Sequence, residues 1–266
     1  MKKYIHFRGK KIFYSESGSG LPVLLLHGYL ETSEVWDGFA SRLSDKFRII
    51  AIDLPGHGSS DIYAEVHTME FIAAVAEGLM NTLGIEKAFI AGHSLGGYAT
   101  LAFLELYPGR LNGYCLFHSH PFADIPETIQ KREREILIVK AGKKFLMYPD
   151  NIKRMFADNN IIKFHDALER AKKIASTIQG EGIIAVLKGM IQRPSRLHVM
   201  EAGKAPCLWI LGAMDNYIPV TMKDRVKLPA NAELLILSNS GHLGFIEEEE
   251  KAAEALTGFI RKHSSL

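Results

Sequence analysis

Hydrophobic and polar residues alternate along the first twenty positions. Tyr4-Ile5-His6-Phe7 and Lys11-Ile12-Phe13-Tyr14 flank a turn at Arg8-Gly9-Lys10, and Ser17-Gly18-Ser19-Gly20 closes the pattern, which predicts a β-hairpin. Beyond it, short unbroken apolar runs take over at 23–26, 49–52, 88–91, 114–117, 207–211 and 234–237. Such runs suit strands covered on both faces, as in a parallel sheet. Helix-length amphipathic stretches at 33–44, 69–83 and 95–107 lie between the early runs. The repeated order of strand, helix, strand predicts an α/β fold: a mostly parallel, eight-stranded sheet with helices on both faces.

The spacing breaks once. Between Phe117 and Pro206 about ninety residues carry no strand pattern and several helical segments, 127–142 and 163–179 among them. The expected organisation is a core of 1–121 and 197–266 interrupted by a helical cap insertion, 122–196. That insertion holds 15 Lys/Arg against 9 Asp/Glu. The excess either selects an anionic substrate or coats solvated helix faces, as pairs such as Lys143-Lys144 and Lys172-Lys173 often do. The run Glu247 to Glu250 reads as the acidic first turn of a final helix.

Composition narrows the function classes. The whole chain, with 32 Lys/Arg and 30 Asp/Glu, is too balanced to track a nucleic-acid backbone. Cys115 and Cys207 sit inside apolar runs, where a free thiol packs as a small hydrophobe. No secretory leader follows the basic start, and no run approaches the roughly 18 apolar residues of a membrane span. The expectation is a cytoplasmic protein acting on a small molecule, without nucleic-acid or membrane partners.

Gly92-His93-Ser94-Leu95-Gly96 matches G-x-S-x-G, in which a sharp strand-to-helix turn lifts a serine and small residues let the backbone close. The pentapeptide alone is weak evidence, but here an apolar run precedes it and a helical pattern follows. A serine hydroxyl needs a base to take its proton and a third group to orient that base. Asp215 follows the run at 207–211 and His242 the run at 234–237, so Ser, Asp and His fall in the required chain order, each past a strand's carboxyl end. Asp124, past the run at 114–117, is the alternative acid. His27, His57 and Asp53 read as braces of Gly-rich loops. His118 and His120 would share a strand face and line a substrate pocket; nothing is spaced to complete a metal site with them.

At His27-Gly28-Tyr29, the segment from Asp53 to Ser60, the Ser94 elbow, Asp215 and His242, the chain resembles the α/β-hydrolase superfamily over nearly its whole length. The elbow G-H-S-x-G-G is similar to those of capped serine esterases, haloperoxidase-like enzymes and carbon–carbon-bond hydrolases. Serine at the nucleophile position disfavours the members that use aspartate. The resemblance implies a cofactor-free, metal-free serine hydrolase acting on a small carboxylic ester. Ser94 would be nucleophile, His242 base and Asp215 its orienter, with an oxyanion hole from the N–H groups of Tyr29 and Leu95. Two other readings stay open: carbon–carbon hydrolysis or a lyase of the menaquinone-pathway type, and a ligand receptor on the same fold.

Overall fold

The N-terminal alternation forms β1 (Lys2–Phe7) and β2 (Lys10–Ser17), an antiparallel pair turning at Arg8 and Gly9, both at positive φ. They belong to a computed structural model that describes residues 2–264. Each apolar run is a strand: β3 (Pro22–Leu26), β4 (Arg48–Ile52), β5 (Ala88–His93), β6 (Leu111–Phe117), β7 (Cys207–Gly212) and β8 (Ala232–Leu237). The eight strands run in the order β1-β2-β4-β3-β5-β6-β7-β8, and all pairs from β4 to β8 are parallel.

Leu24, Ile50, Ile90, Leu116 and Trp209 in the middle strands are fully buried. Each contributes on the order of 2 kcal/mol by leaving water. β8 departs from expectation. It is an edge strand, and Leu234 and Ile236 remain 38% and 36% exposed, so its apolar run marks a half-covered edge.

The chain reverses direction across the sheet after β4. Right-handed crossovers therefore put α1 (Asp37–Ser44) on one face and α2 (Met69–Thr82) and α3 (Leu95–Leu106) on the other. Accordingly α2 packs on α3, and α1 packs on the C-terminal helix α10 (Glu249–His263). Between β6 and β7 lie α4 (Pro126–Lys140), α5 (Tyr148–Lys153), α6 (His165–Thr177), α7 (Gly180–Gln192) and α8 (Leu197–Glu201), with no strand among them. A short α9 (Gly244–Glu247) precedes α10. The acidic run is thus split: Glu249 and Glu250 open α10, whereas Glu247 is buried in α9. Cys115 and Cys207 are buried free thiols. No single helix among the described residues is long and apolar enough to cross a membrane.

Candidate active site

Ser94 sits between β5 and α3 at φ 49°, ψ −110°, a region that side chains other than glycine occupy only under strain. The flanking glycines explain why the turn can form. A Cβ on Gly92 would lie 2.3 Å from the Gly96 carbonyl oxygen, and one on Gly96 would lie 2.2 Å from that of Leu26. The Ser94 N–H donates to Phe117 O at 3.0 Å, and its carbonyl accepts from Gly97 N–H and the Ser119 hydroxyl. The strained turn is held on both sides.

Asp215 and His242 come from the loops after β7 and β8 and meet at 2.8 Å, Asp215 Oδ2 to His242 Nδ1. The other carboxylate oxygen, Oδ1, accepts the N–H groups of Tyr217 and Ile218 at 2.7 and 2.9 Å. Burial opposes ionisation of Asp215, but the facing imidazoles of His242 and His118 outweigh it and hold the carboxyl well below its usual range. An ionised Asp215 fixes the proton of His242 on Nδ1 and leaves Nε2 as the basic nitrogen. His242 and Ser94 both line a cavity of about 300 Å³.

The two histidines expected to share a pocket face part company. His120 lines the cavity, but His118 lies behind Asp215, fully buried, with Nε2 accepting the Gly244 N–H and Nδ1 3.3 Å from Asp215 Oδ2. That last contact is too bent for a regular hydrogen bond. The alternation rule fails because β6 ends at Phe117 and His118 takes φ 46°. Tyr29 lines the cavity, and Leu95 is the first residue of α3. The alternative acid, Asp124, is spent on Arg132 and Arg193, each at 2.7 Å. His27 braces its loop, Nδ1 donating to Gly28 O and Nε2 accepting from Leu54 N–H. Asp53 binds Ser33 and the Ser59 N–H.

His118, Asp215 and His242 also form a group whose ligating atoms lie within 4.8 Å of one another. Asp215 Oδ1 accepts two N–H groups, and its Oδ2 faces the Nδ1 atoms of both His242 and His118.

Two features escaped the sequence reading. Thr128, Lys131, Arg132 and Glu135 of α4 all line the cavity. Their i, i+3, i+4, i+7 spacing marks one helix face, a signal that was present but polar. The second is a buried link beneath the site. His93 faces Glu31 Oε2 through Nδ1 at 2.9 Å, and the same oxygen accepts the Gly28 N–H at 2.5 Å. No local pattern joins residues so far apart in the chain.

A family model described as the alpha/beta hydrolase fold matches residues 22–134. A thermophilic esterase from Thermogutta terrifontis, solved with malate bound, superposes with a TM-score of 0.93 at 28% identity, over 99% of both chains. A 2-hydroxy-6-oxononadienedioate/2-hydroxy-6-oxononatrienedioate hydrolase from Paraburkholderia phymatum is 26% identical over 94% of this chain and 91% of that one. A pimeloyl-[acyl-carrier protein] methyl ester esterase from Methylococcus capsulatus is 24% identical over 94% of this chain and 98% of its own. The sheet order, the elbow at its fifth strand and these likenesses show that the chain has the α/β-hydrolase fold.

Proposed function

We propose that the protein is a serine hydrolase cleaving a small carboxylic ester through an acyl-enzyme, with Ser94, His242 and Asp215 as its triad. The observation that carries this reading is the strained Ser94 opening into one cavity with an imidazole whose Nδ1 is committed to Asp215. His242 Nε2 takes the hydroxyl proton as Ser94 Oγ attacks the carbonyl carbon, then gives it to the departing alkoxide as the ester C–O bond breaks. Water repeats the cycle: its hydroxyl joins the acyl carbon, its proton passes through His242 to Ser94, and the free acid leaves. The oxyanion is assigned to the N–H groups of Leu95 and Tyr29. Leu95 opens α3, where an N–H has no intrahelical acceptor and the helix dipole favours negative charge. The helices between β6 and β7 serve as a cap, since α4, α5 and α7 contribute Lys131, Asn151 and Met190 to the cavity wall.

Likeness to the Paraburkholderia phymatum hydrolase over most of both chains favours a second reading, cleavage of a carbon–carbon bond by the same residues. A fluorophosphonate probe and a panel of p-nitrophenyl esters of graded chain length test the choice. Labelling lost in Ser94→Ala, with turnover of short esters at about 1 s⁻¹ or faster, supports the esterase. Labelling without ester turnover moves the assignment to carbon–carbon cleavage, and no labelling of the folded protein overturns both.

A further inference from the structure

The cavity holding Ser94 and His242 is lined by four cationic side chains, Lys131, Arg132, Arg154 and Arg225, and by two carboxylates, Asp124 and Glu135. The carboxylates are already engaged. Asp124 holds Arg132 and, outside the lining, Arg193. Glu135 takes the Tyr29 hydroxyl on Oε2 at 3.1 Å and the Asn151 amide on Oε1 at 3.0 Å.

Lys131, Arg154 and Arg225 are left over. Among the described residues none of the three is paired with a carboxylate, and all three are exposed, which places them at the mouth. Instead they lie over aromatic rings: Lys131 Nζ is 5.1 Å and the Arg154 guanidinium carbon 5.5 Å from the centre of the Tyr217 ring, and Arg225 is 4.1 Å from that of Phe122. Tyr217 in turn packs on His242, their ring centres 5.2 Å apart. Two cations thus share the ring that touches the base. Burial, and after it repulsion from Arg154 and Arg132, lowers the Lys131 pKa against the pull of Glu135. Gathering like charges around a void is costly unless something negative enters it.

We propose that the substrate is an ester carrying a second, remote carboxylate, which Lys131 and Arg154 hold at the cavity mouth beside Tyr217 while the ester carbonyl reaches Ser94. This rests on the serine-hydrolase reading and adds the substrate's charge class to it. The small cavity suits a short diacid half-ester better than a long acyl chain.

The test compares mono-p-nitrophenyl glutarate with p-nitrophenyl pentanoate, esters of nearly equal length that differ in the terminal carboxylate. At low salt the glutarate ester is expected to show a kcat/KM at least about tenfold higher, and about 0.5 M salt to erode the preference because the cations are exposed. In Lys131→Gln/Arg154→Gln the ratio falls towards one through a rise in KM for the glutarate ester. Lys173→Gln, which removes an exposed cation from the same segment, keeps the ratio. A ratio near one in the unmodified protein, or a double variant that slows both esters equally, overturns the proposal while leaving the hydrolase reading intact. If neither ester is turned over, the ester-cleaving reading fails alone. Calorimetric titration of Ser94→Ala with glutarate then decides charge selection: binding that the Lys131 and Arg154 changes weaken by about tenfold supports it, and binding indifferent to them, or none, overturns it.

Discussion

His93 donates from Nε2 to the main-chain carbonyl of His242 at 2.9 Å, joining the residue before the proposed nucleophile to the loop of the proposed base. Through Nδ1 and Glu31 the same ring reaches the Gly28 N–H, next to Tyr29. Three loops that must keep register are therefore tied by one buried imidazole. Burial opposes ionisation of Glu31, but His93 and the Gly28 N–H hold its carboxyl below the ordinary range.

Loosening that link should misplace the reacting groups without emptying the cavity. Glu31→Gln and His93→Gln are each expected to lower kcat on p-nitrophenyl acetate by about 10- to 100-fold, with KM changed less than about threefold. Acting in one link, the two changes together should cost little more than the worse single change. A rise in KM at constant kcat, or fully additive losses, would count against a positioning role.

Ser94 offers a way to separate strain from chemistry. Ser94→Ala and Ser94→Gly both remove the hydroxyl, so both should lose ester turnover by about 10⁴-fold or more. Only glycine accepts φ 49°, ψ −110° without penalty. In urea unfolding Ser94→Gly should be more stable than Ser94→Ala by about 1 kcal/mol, the strain relieved less glycine's added unfolded-state entropy. Equal stabilities would mean that the turn stores no strain at this residue.

Asp215→Asn keeps the shape but exchanges a charged acceptor for an amide that lets His242 turn to the wrong tautomer. The expected loss in kcat is about 10³- to 10⁴-fold with the fold retained. His118 sharpens this prediction. In the variant its Nδ1 no longer faces an anion, so the neighbouring ring gains nothing from protonation, and alkaline pH should restore only a small part of the rate. Recovery to within about tenfold of the parent at alkaline pH would argue that the carboxylate is dispensable.

The sheet and most of its partners were legible in the sequence because buried parallel strands need unbroken apolar runs, and the elbow because Gly92 and Gly96 admit no side chain. Edge strand β8 looked like its neighbours since apolar runs report hydrophobicity and say nothing of how many faces are covered. His118 was misplaced by a rule of strand alternation applied one residue past the strand's end. The α4 face was missed for the opposite reason. It lines the cavity with Lys131, Arg132 and Glu135, and a polar face of that kind is indistinguishable from a solvated one until the cavity is seen. Long-range ties such as Glu31 to His93 leave no local trace.

Acid should unfold the protein through its neutral histidines. Burial, the largest cause in each case, pushes His57 and His120 down to about 3 and His67 and His118 down to about 4 from an unfolded value of 6.5. A lowered histidine pKa means that the unfolded chain binds more protons between the two values. Stability is therefore whole above pH 6.5 and falls as pH drops towards 4, by up to about 1.4 kcal/mol per pH unit for each histidine. Urea unfolding from pH 7 to pH 5 should show this slope, and His57→Gln should reduce it by about one proton. Asp215, held low, adds its own loss only below the ordinary aspartate range. A flat profile above pH 5 would mean that these rings are solvated in the folded state.

Glu247 ties the helical segment to the loop of the base, and the geometry ranks two substitutions. Its Oε1 accepts the Ala157 N–H and the Asn160 amide, each at 2.8 Å, and its Oε2 accepts the Gly241 N–H at 2.8 Å. The adjacent His242 N–H donates to Met155 O at 2.6 Å, so the chain before Asn160 and the chain carrying His242 are stitched twice. Every neighbour of the carboxylate is a donor. Glu247→Gln must point its own N–H₂ at one of them, leaving a buried clash at a cost of about 2–4 kcal/mol. Asn160→Ala removes a single donor and leaves the carboxylate two others, for about 1 kcal/mol. Stability in urea should therefore fall further in Glu247→Gln, and kcat should follow the same order because the loop that loosens bears His242. Asn160→Ala matching or exceeding Glu247→Gln in both measurements would show that the tie runs through the Asn160 side chain, which also donates to Asn239 O.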